Sequence, residues 1–440
     1  MAKAIRTRDG SLRTRRRVAL GVAVALAAAG LAACGGGSGV PTLTWYINPD
    51  VGNLDASLGG QATLAKECTD AANGKYKIEV QMLPTDASAQ REQLIRRLAA
   101  KDSSIDLMSN DPPFIAEAST AGFLAPVPEA DVKTFTDGVL DGAVKQSTWD
   151  GKLVAVPFWA NTQLLWYNKK VADQAGLDMT QAVTWDQLIN AADETGTTVQ
   201  VQADKYEGYA VWINALIESA GGSILEDASA GADAKVTVDS KAGDEAAAVI
   251  QKLANSKAAN PSISTATETE ALAGFTAPNG GFMVNWPYVY ADPSTQALRD
   301  ADNLGYTRYP ETVAGEPSKP PLGGISLTIG AYSKHIDFAY EAAACITNEE
   351  HQKEYMLNSG NPAARSAVYQ DPEIRKAYPM ADLIEESIGE AAPRTVTPFW
   401  TDVSAALVDS FHPPSAVNAQ TTPQKATQFI TDVLHGKALL

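Results

Sequence analysis

The stretch Val156-Pro-Phe-Trp-Ala-Asn-Thr-Gln-Leu-Leu-Trp-Tyr-Asn-Lys169 sets Trp159, Trp166 and Tyr167 beside Asn161 and Gln163 within nine residues. Aromatic faces next to planar amides suit a ligand that is apolar on one face and hydroxylated at its edge, as sugars are. A buried strand whose amides bond internally would have the same composition. A second run, Gly281-Phe-Met-Val-Asn-Trp-Pro-Tyr-Val-Tyr290, reads as a strand that ends at Asn285-Trp286-Pro287 and presents an indole at the sheet edge. Trp286 there is a stacking platform or a packing residue.

The remaining chemistry is sparse. No serine stands in Gly-x-Ser-x-Gly, and His335, His351, His412 and His435 fall among charged residues away from any nucleophile motif. Neither His-x-x-x-His nor Cys-x-x-Cys occurs, so no local motif gives a metal site, and no phosphate-cradling glycine loop implies a nucleotide. The sequence therefore implies no cofactor and no catalysis. The 52 carboxylates leave a glycoside-processing pair open by count alone; Asp111 and Glu207 are the pair to test.

The elements that must hold these residues begin behind a processing segment. Seven basic residues between Lys3 and Arg17 precede an Ala/Val/Leu/Gly run over 18–33 that ends in Leu31-Ala-Ala-Cys34. This has the form of a signal peptide rather than a membrane span. Small residues before a cysteine resemble the bacterial lipobox, which implies cleavage before Cys34 and lipidation of its thiol. The Arg15-Arg16 pair matches a twin-arginine export signal poorly. Residues 34–40, rich in glycine, form a flexible tether. Net charge is −17, and the basic leader makes the body more acidic still, which argues against nucleic acid or an anionic membrane surface as partner. Cys68 and Cys345 remain, and in an oxidising compartment they read as one disulfide or as two separately buried thiols.

With 45% apolar residues over 440 positions, the chain is long enough for two lobes. Strands at 43–47, 77–82 and 105–108 alternate with helices at 56–72, 89–100 and 114–121, which predicts a mostly parallel α/β sheet. Ligands of such sheets sit beyond the carboxyl ends of the strands, where Asn48 and Asp111 fall. A second α/β set follows 169, with a capping box at Thr184–Gln187, a helix over 209–220 ended by Gly221-Gly222, a polar connector over 255–270, and a surface linker over 310–321. Gly323-Gly324 opens a strand in which the backbone can approach a neighbour closely. Thr422-Pro423 reads as an N-cap followed by proline.

The chain resembles the extracellular (family 1 type) solute-binding proteins of carbohydrate ABC transporters. The lipobox, Trp149-Asp-Gly-Lys-Leu-Val-Ala-Val-Pro157, Ala220-Gly-Gly222 and Gly315-Glu-Pro-Ser-Lys-Pro320 carry the likeness. Asn161-Thr-Gln-Leu-Leu-Trp-Tyr167, Val284-Asn-Trp-Pro287, Ala377-Tyr-Pro-Met380 and the contexts of Cys68 and Cys345 are similar to the actinobacterial trehalose-binding lipoproteins, and this likeness supports the disulfide. The resemblance implies a two-lobe, type II periplasmic-binding-protein α/β fold. The N-lobe would hold 41–157 plus 322–348 and the C-lobe 158–321 plus 349–440, with crossovers near Pro157, Pro321 and Asn348. It also implies a monomeric, lipid-anchored receptor on the outer face of the membrane that hands a disaccharide to permease subunits. Site residues implied in the same way are Asp111 as hydroxyl acceptor, Asn161 as amide, Glu207 as C-lobe acid, Trp286 as stacking platform and Arg365 as a two-pronged donor. Gly324 and Ile325 would offer backbone contacts, Gln90 and Trp159 would stand at the rim, Tyr46 and Asn48 would be first-strand contacts, and Asn110 would neighbour Asp111.

Overall fold

The computed structural model describes residues 39–440; the leader and Cys34 lie outside the described residues. The alternation Leu43, Trp45, Ile47 turns one face of the strand Thr42–Ile47 inward, and all three side chains are fully buried. This strand lies parallel to Lys77–Met82 on one side and to Leu107–Asn110 on the other. The sheet is then mixed rather than mostly parallel. The ten-residue strand Pro321–Gly330 returns antiparallel to Leu107–Asn110, and Val156–Thr162 pairs antiparallel with its other edge. A second sheet orders Leu304–Thr307, Leu164–Asn168, Gly280–Asn285 and Thr198–Gln200.

The aromatic and amide stretch joins the two sheets. Thr162 pairs with Leu322 of the first and Leu164 with Asn285 of the second, so the chain changes sheet at Gln163. Pro157, where the first crossover was expected, instead sits inside the first-sheet strand opposite Ser326. The register shifts between Ile325 and Ser326, and such an irregularity accommodates a residue without an N–H. Gln163 is buried, and its Nε2 donates to Gln202 Oε1 at 2.9 Å. One core gathers around Trp185, Trp212 and Trp400, another around Trp45, Phe158 and Tyr355. Cys68 and Cys345 are disulfide-bonded, joining helices Gln61–Ala71 and Ile336–Ile346 with a Cα–Cα distance of 5.9 Å.

Helix signals translate directly where they were read. The Thr184 hydroxyl accepts from Gln187 N at 3.1 Å while the Gln187 amide oxygen accepts from Thr184 N at 2.8 Å, and Gly221 takes φ 79° after Glu207–Ser219. Two expectations fail. The polar connector over 255–270 contains the start of a helix, Glu268–Thr276, opened by a second capping box of Thr267 and Glu270. In the final helix Thr422 is the first helical residue rather than the cap, and Thr421 precedes it.

Burial near Lys319 raises the Glu218 carboxyl to about 7, with the lysine opposing the shift. A carboxyl whose folded pKa exceeds its unfolded value disfavours folding once ionised, so stability falls as pH rises from about 4.5 through about 7. At ~1.4 kcal/mol per unit, and with partial solvent access, Glu218→Gln raises stability at pH 8 by about 1–2 kcal/mol. Urea denaturation at pH 5 and pH 8 checks this; an unchanged pH slope in the variant would rule it out.

Candidate functional site

A cavity of about 310 Å³ lies between the ends of the two sheets, at the small end of ligand sites. Asn48 and Gln90 line one side, with Asn48 Nδ2 donating to Gln90 Oε1 at 2.9 Å. Gln61 Nε2 donates to the Asn48 carbonyl at 3.0 Å and so anchors the loop that follows the first strand. Asp111 enters at the end of the strand Leu107–Asn110. Asn161 and Trp159 come from Val156–Thr162, facing Gly323, Gly324 and Ile325.

The paired glycines are required there. Gly324 has φ +117°, and a Cβ would stand 2.2 Å from the Trp159 carbonyl oxygen. A Cβ on Gly323 would lie 3.0 Å from the Trp286 indole, so that ring rests on bare backbone. Trp286 N donates to Asn285 Oδ1 at 2.9 Å, Asn285 Nδ2 donates to the Glu268 carbonyl at 3.1 Å, and Trp166 Nε1 donates to the Asn285 carbonyl at 2.9 Å. These bonds hold the strand end that carries the indole. Trp159 is fixed edge-on to Phe158 at 4.8 Å and tilted on Tyr355 at 5.1 Å.

Charge is concentrated at the centre. Arg394 donates from Nη2 to Asp111 Oδ1 at 2.6 Å, and from Nη1 both to Asp111 Oδ2 at 3.0 Å and to Glu207 Oε1 at 2.9 Å. Trp400 Nε1 adds a 2.8 Å donation to the same Glu207 oxygen. All three charged side chains are at most 15% exposed. Burial alone would lower the guanidinium's pKa, but attraction to Asp111 and Glu207 outweighs it and holds the group above its ordinary value. Burial raises the Glu207 carboxyl against the opposing pull of Arg394. Glu207 Oε2 and Asn48 Oδ1 are buried acceptors without a protein partner. Glu268 accepts from the Tyr206 hydroxyl at 2.8 Å, and burial raises its carboxyl too.

Nine of the eleven expected binding residues therefore share one cavity: Asn48, Gln90, Asp111, Trp159, Asn161, Glu207, Trp286, Gly324 and Ile325. Two do not. Asn110 Nδ2 donates to Thr328 Oγ1 across the ladder at 2.6 Å. Arg365 donates to the carbonyls of Thr347 (2.9 Å), Asp137 (2.8 Å) and Thr134 (3.0 Å), which closes the carboxyl ends of two helices. Tyr46, expected as a first-strand contact, lies under the Arg97 guanidinium instead. Arg365→Ala accordingly lowers stability by about 1–2 kcal/mol while ligand affinity changes less than about twofold. A large affinity loss with unchanged stability would return Arg365 to the site.

The arginine the site does contain, Arg394, was missed, as were Glu268, Tyr206 and Asn361. Arg394 had a signal, being the lone charge between Pro393 and Pro398 with Trp400 close behind. Glu268 was hidden by reading its capping box as a connector.

The arrangement has aromatic faces, amides and carboxylates around a half-open cleft, with no paired nucleophile and base among its lining residues. The chain belongs to the bacterial extracellular solute-binding proteins, whose family model matches residues 55–353. Among curated relatives, it is 26% identical to a probable ABC transporter-binding protein of Deinococcus radiodurans over 75% of this chain and 80% of that one. It is 22% identical to the galactooligosaccharide-binding protein of Bacillus subtilis over 78% and 80%. Among solved structures, maltose-bound MalE3 of T. maritima superposes with a TM-score of 0.76 at 23% identity, covering 90% of this chain and all of that one. The GacH receptor of Streptomyces glaucescens gives 0.73 at 22% identity over 90% and 98%. The fold is that of the maltose-binding-protein-like, type II periplasmic binding proteins.

Proposed function

We propose that this chain is the substrate-binding lipoprotein of a carbohydrate ABC importer, anchored through Cys34 outside the cytoplasmic membrane and active as a monomer. It captures a disaccharide, trehalose first among candidates, and passes it to permease subunits. The observation that carries this reading is one cavity lined by Trp286 and Trp159 together with Glu207 and Asn48, whose Oε2 and Oδ1 are acceptors without a protein partner. A pyranose offers both an apolar face for an indole and hydroxyl donors for those oxygens. The two lobes turn about Gln163 and close over the sugar, which excludes water and strengthens each polar contact. A ligand bound only by the native state must raise its melting temperature. Trehalose raises it under this reading; silence from trehalose, maltose, sucrose and glucose alike would defeat it.

The second reading is a receptor for maltose, maltodextrin or another α-glucoside, favoured by the maltose-bound relative of the same fold. A higher affinity for maltose than for trehalose would select it. A surface glycoside-processing enzyme is a poorer fit, because Asp111 and Glu207 share one guanidinium; detectable hydrolysis abolished by Asp111→Asn or Glu207→Gln would revive it.

The cavity wall carries Asp86, Asp111, Glu207 and Glu268 against the single cation Arg394. An anionic sugar meets this negative excess in a poorly solvated space. The 6-phosphate or uronate form of the preferred disaccharide therefore binds at least about tenfold more weakly, ~1.4 kcal/mol. Competition calorimetry measures the ratio, and equal affinity would contradict it.

A further inference from the structure

The disulfide has an imidazole beside it. His351 lies in the first turn of helix Glu349–Ser359, capped by Asn348, whose Oδ1 accepts from His351 N at 2.8 Å. Its Nδ1 stands 3.6 Å from Cys68 Sγ, 3.8 Å from Cys345 Sγ and 2.7 Å from the Cys345 carbonyl, to which the ring donates in the oxidised protein. The two sulfurs and one ring nitrogen lie within 4.8 Å of one another. On the far side of the ring, Nε2 faces Glu67 Oε2 at 3.5 Å.

From this juxtaposition we infer that the reduced protein holds a soft divalent ion, zinc, between Cys68, Cys345 and His351. Zinc bonds of ~2.3 Å to sulfur and ~2.0 Å to nitrogen set a tetrahedral sulfur–nitrogen edge of about 3.6 Å. The nitrogen already stands at that spacing from both sulfurs. The sulfurs must part to about 3.8 Å once their bond is broken, and the ring must turn its Nδ1 from the Cys345 carbonyl toward them. Glu67 Oε2, which has no hydrogen-bond partner and lies 3.5 Å from Nε2, is placed to become what metal-binding histidines usually require, a carboxylate that accepts from the other ring nitrogen and fixes tautomer and orientation. Glu67 stands at the ring and Glu354 close enough to be influenced by it, so carboxylates flank the place a cation would take. A surface cavity lined by Lys75, Tyr76 and Glu341 reaches Cys345 and gives access.

The chemistry balances. A dithiol or phosphine reductant supplies two electrons, and with two protons the S–S bond becomes two thiols. Zinc displaces both thiol protons to solvent, and the neutral ring binds through Nδ1 with its proton on Nε2. The fourth position is open to water. Cys345 and His351 are six residues apart, whereas Cys68 is 283 residues from His351, so the full ligand set exists only in the folded chain.

The test is titration of the phosphine-reduced protein with zinc against a chromophoric chelator, alongside the oxidised protein. The reduced protein is expected to bind one zinc at least about a hundredfold more tightly than the oxidised one. Glu67→Gln weakens the reduced form about 10–100-fold and His351→Ala weakens it further. Zinc is also expected to raise the melting temperature of the reduced protein and not that of the oxidised protein. Equal affinity in both redox states, or in reduced His351→Ala, would overturn the inference. So would zinc lowering the melting temperature, because that marks binding to the unfolded thiols.

Discussion

Arg394→Met is expected to lower unfolding free energy by about 3–5 kcal/mol and to abolish measurable sugar binding. Among the described residues the guanidinium is the only cation in contact with Asp111 and Glu207, and both carboxylates are largely buried. Methionine fills similar volume, so the loss is electrostatic: two carboxylates remain close together without their common partner. The folded state answers by taking up protons, and the variant therefore loses stability most steeply as pH rises above the ordinary carboxylate range. Its stability deficit shrinks toward pH 4. Adding Glu207→Gln removes one of the stranded charges and recovers part of the stability without restoring binding. Urea denaturation of both variants across pH 4–8 measures this. A single variant as stable as the parent at pH 7 would show that Arg394 is not the organising charge.

The second large effect falls on affinity. Trp286→Ala is expected to weaken disaccharide binding about a hundredfold, ~2.7 kcal/mol, while leaving stability nearly unchanged. The indole rests on Gly323 at the cavity wall and is only partly buried, so its removal opens the site more than the core. Trp286→Phe keeps an aromatic face and loses about tenfold or less. Calorimetry on both variants, with thermal unfolding as control, separates a stacking role from a packing one. Equal losses of stability and affinity in Trp286→Ala would identify Trp286 as a packing residue.

Much of the fold was legible because it rests on local rules. Alternation in Leu43–Ile47, the Thr184–Gln187 capping box and the glycines after Ser219 each state their structure within a few residues. The site residues at strand ends, Asn48, Asp111 and Trp286, were legible for the same reason, since the carboxyl edge of a sheet follows from the strands themselves. What failed was long-range. Pro157 looks like a boundary in sequence, and only the pairing with Ser326 places it inside a strand. Arg365 and Arg394 are both arginines in proline-bounded loops; which one reaches the cavity depends on helix ends almost 230 residues away for Arg365 and on Asp111 for Arg394. The approach of His351 to Cys68 is likewise a tertiary fact, across 283 residues, although Cys345 is only six residues from it.

The most direct measurement is calorimetric titration of the purified protein with trehalose and maltose, run beside sucrose and glucose. The account predicts one site per chain, micromolar or tighter binding of trehalose, much weaker binding of maltose and no hydrolysis product. Preference for maltose would keep the transport role and reassign the sugar. No heat from any saccharide, under conditions where the protein is folded, would contradict the claim that this cavity is a sugar site.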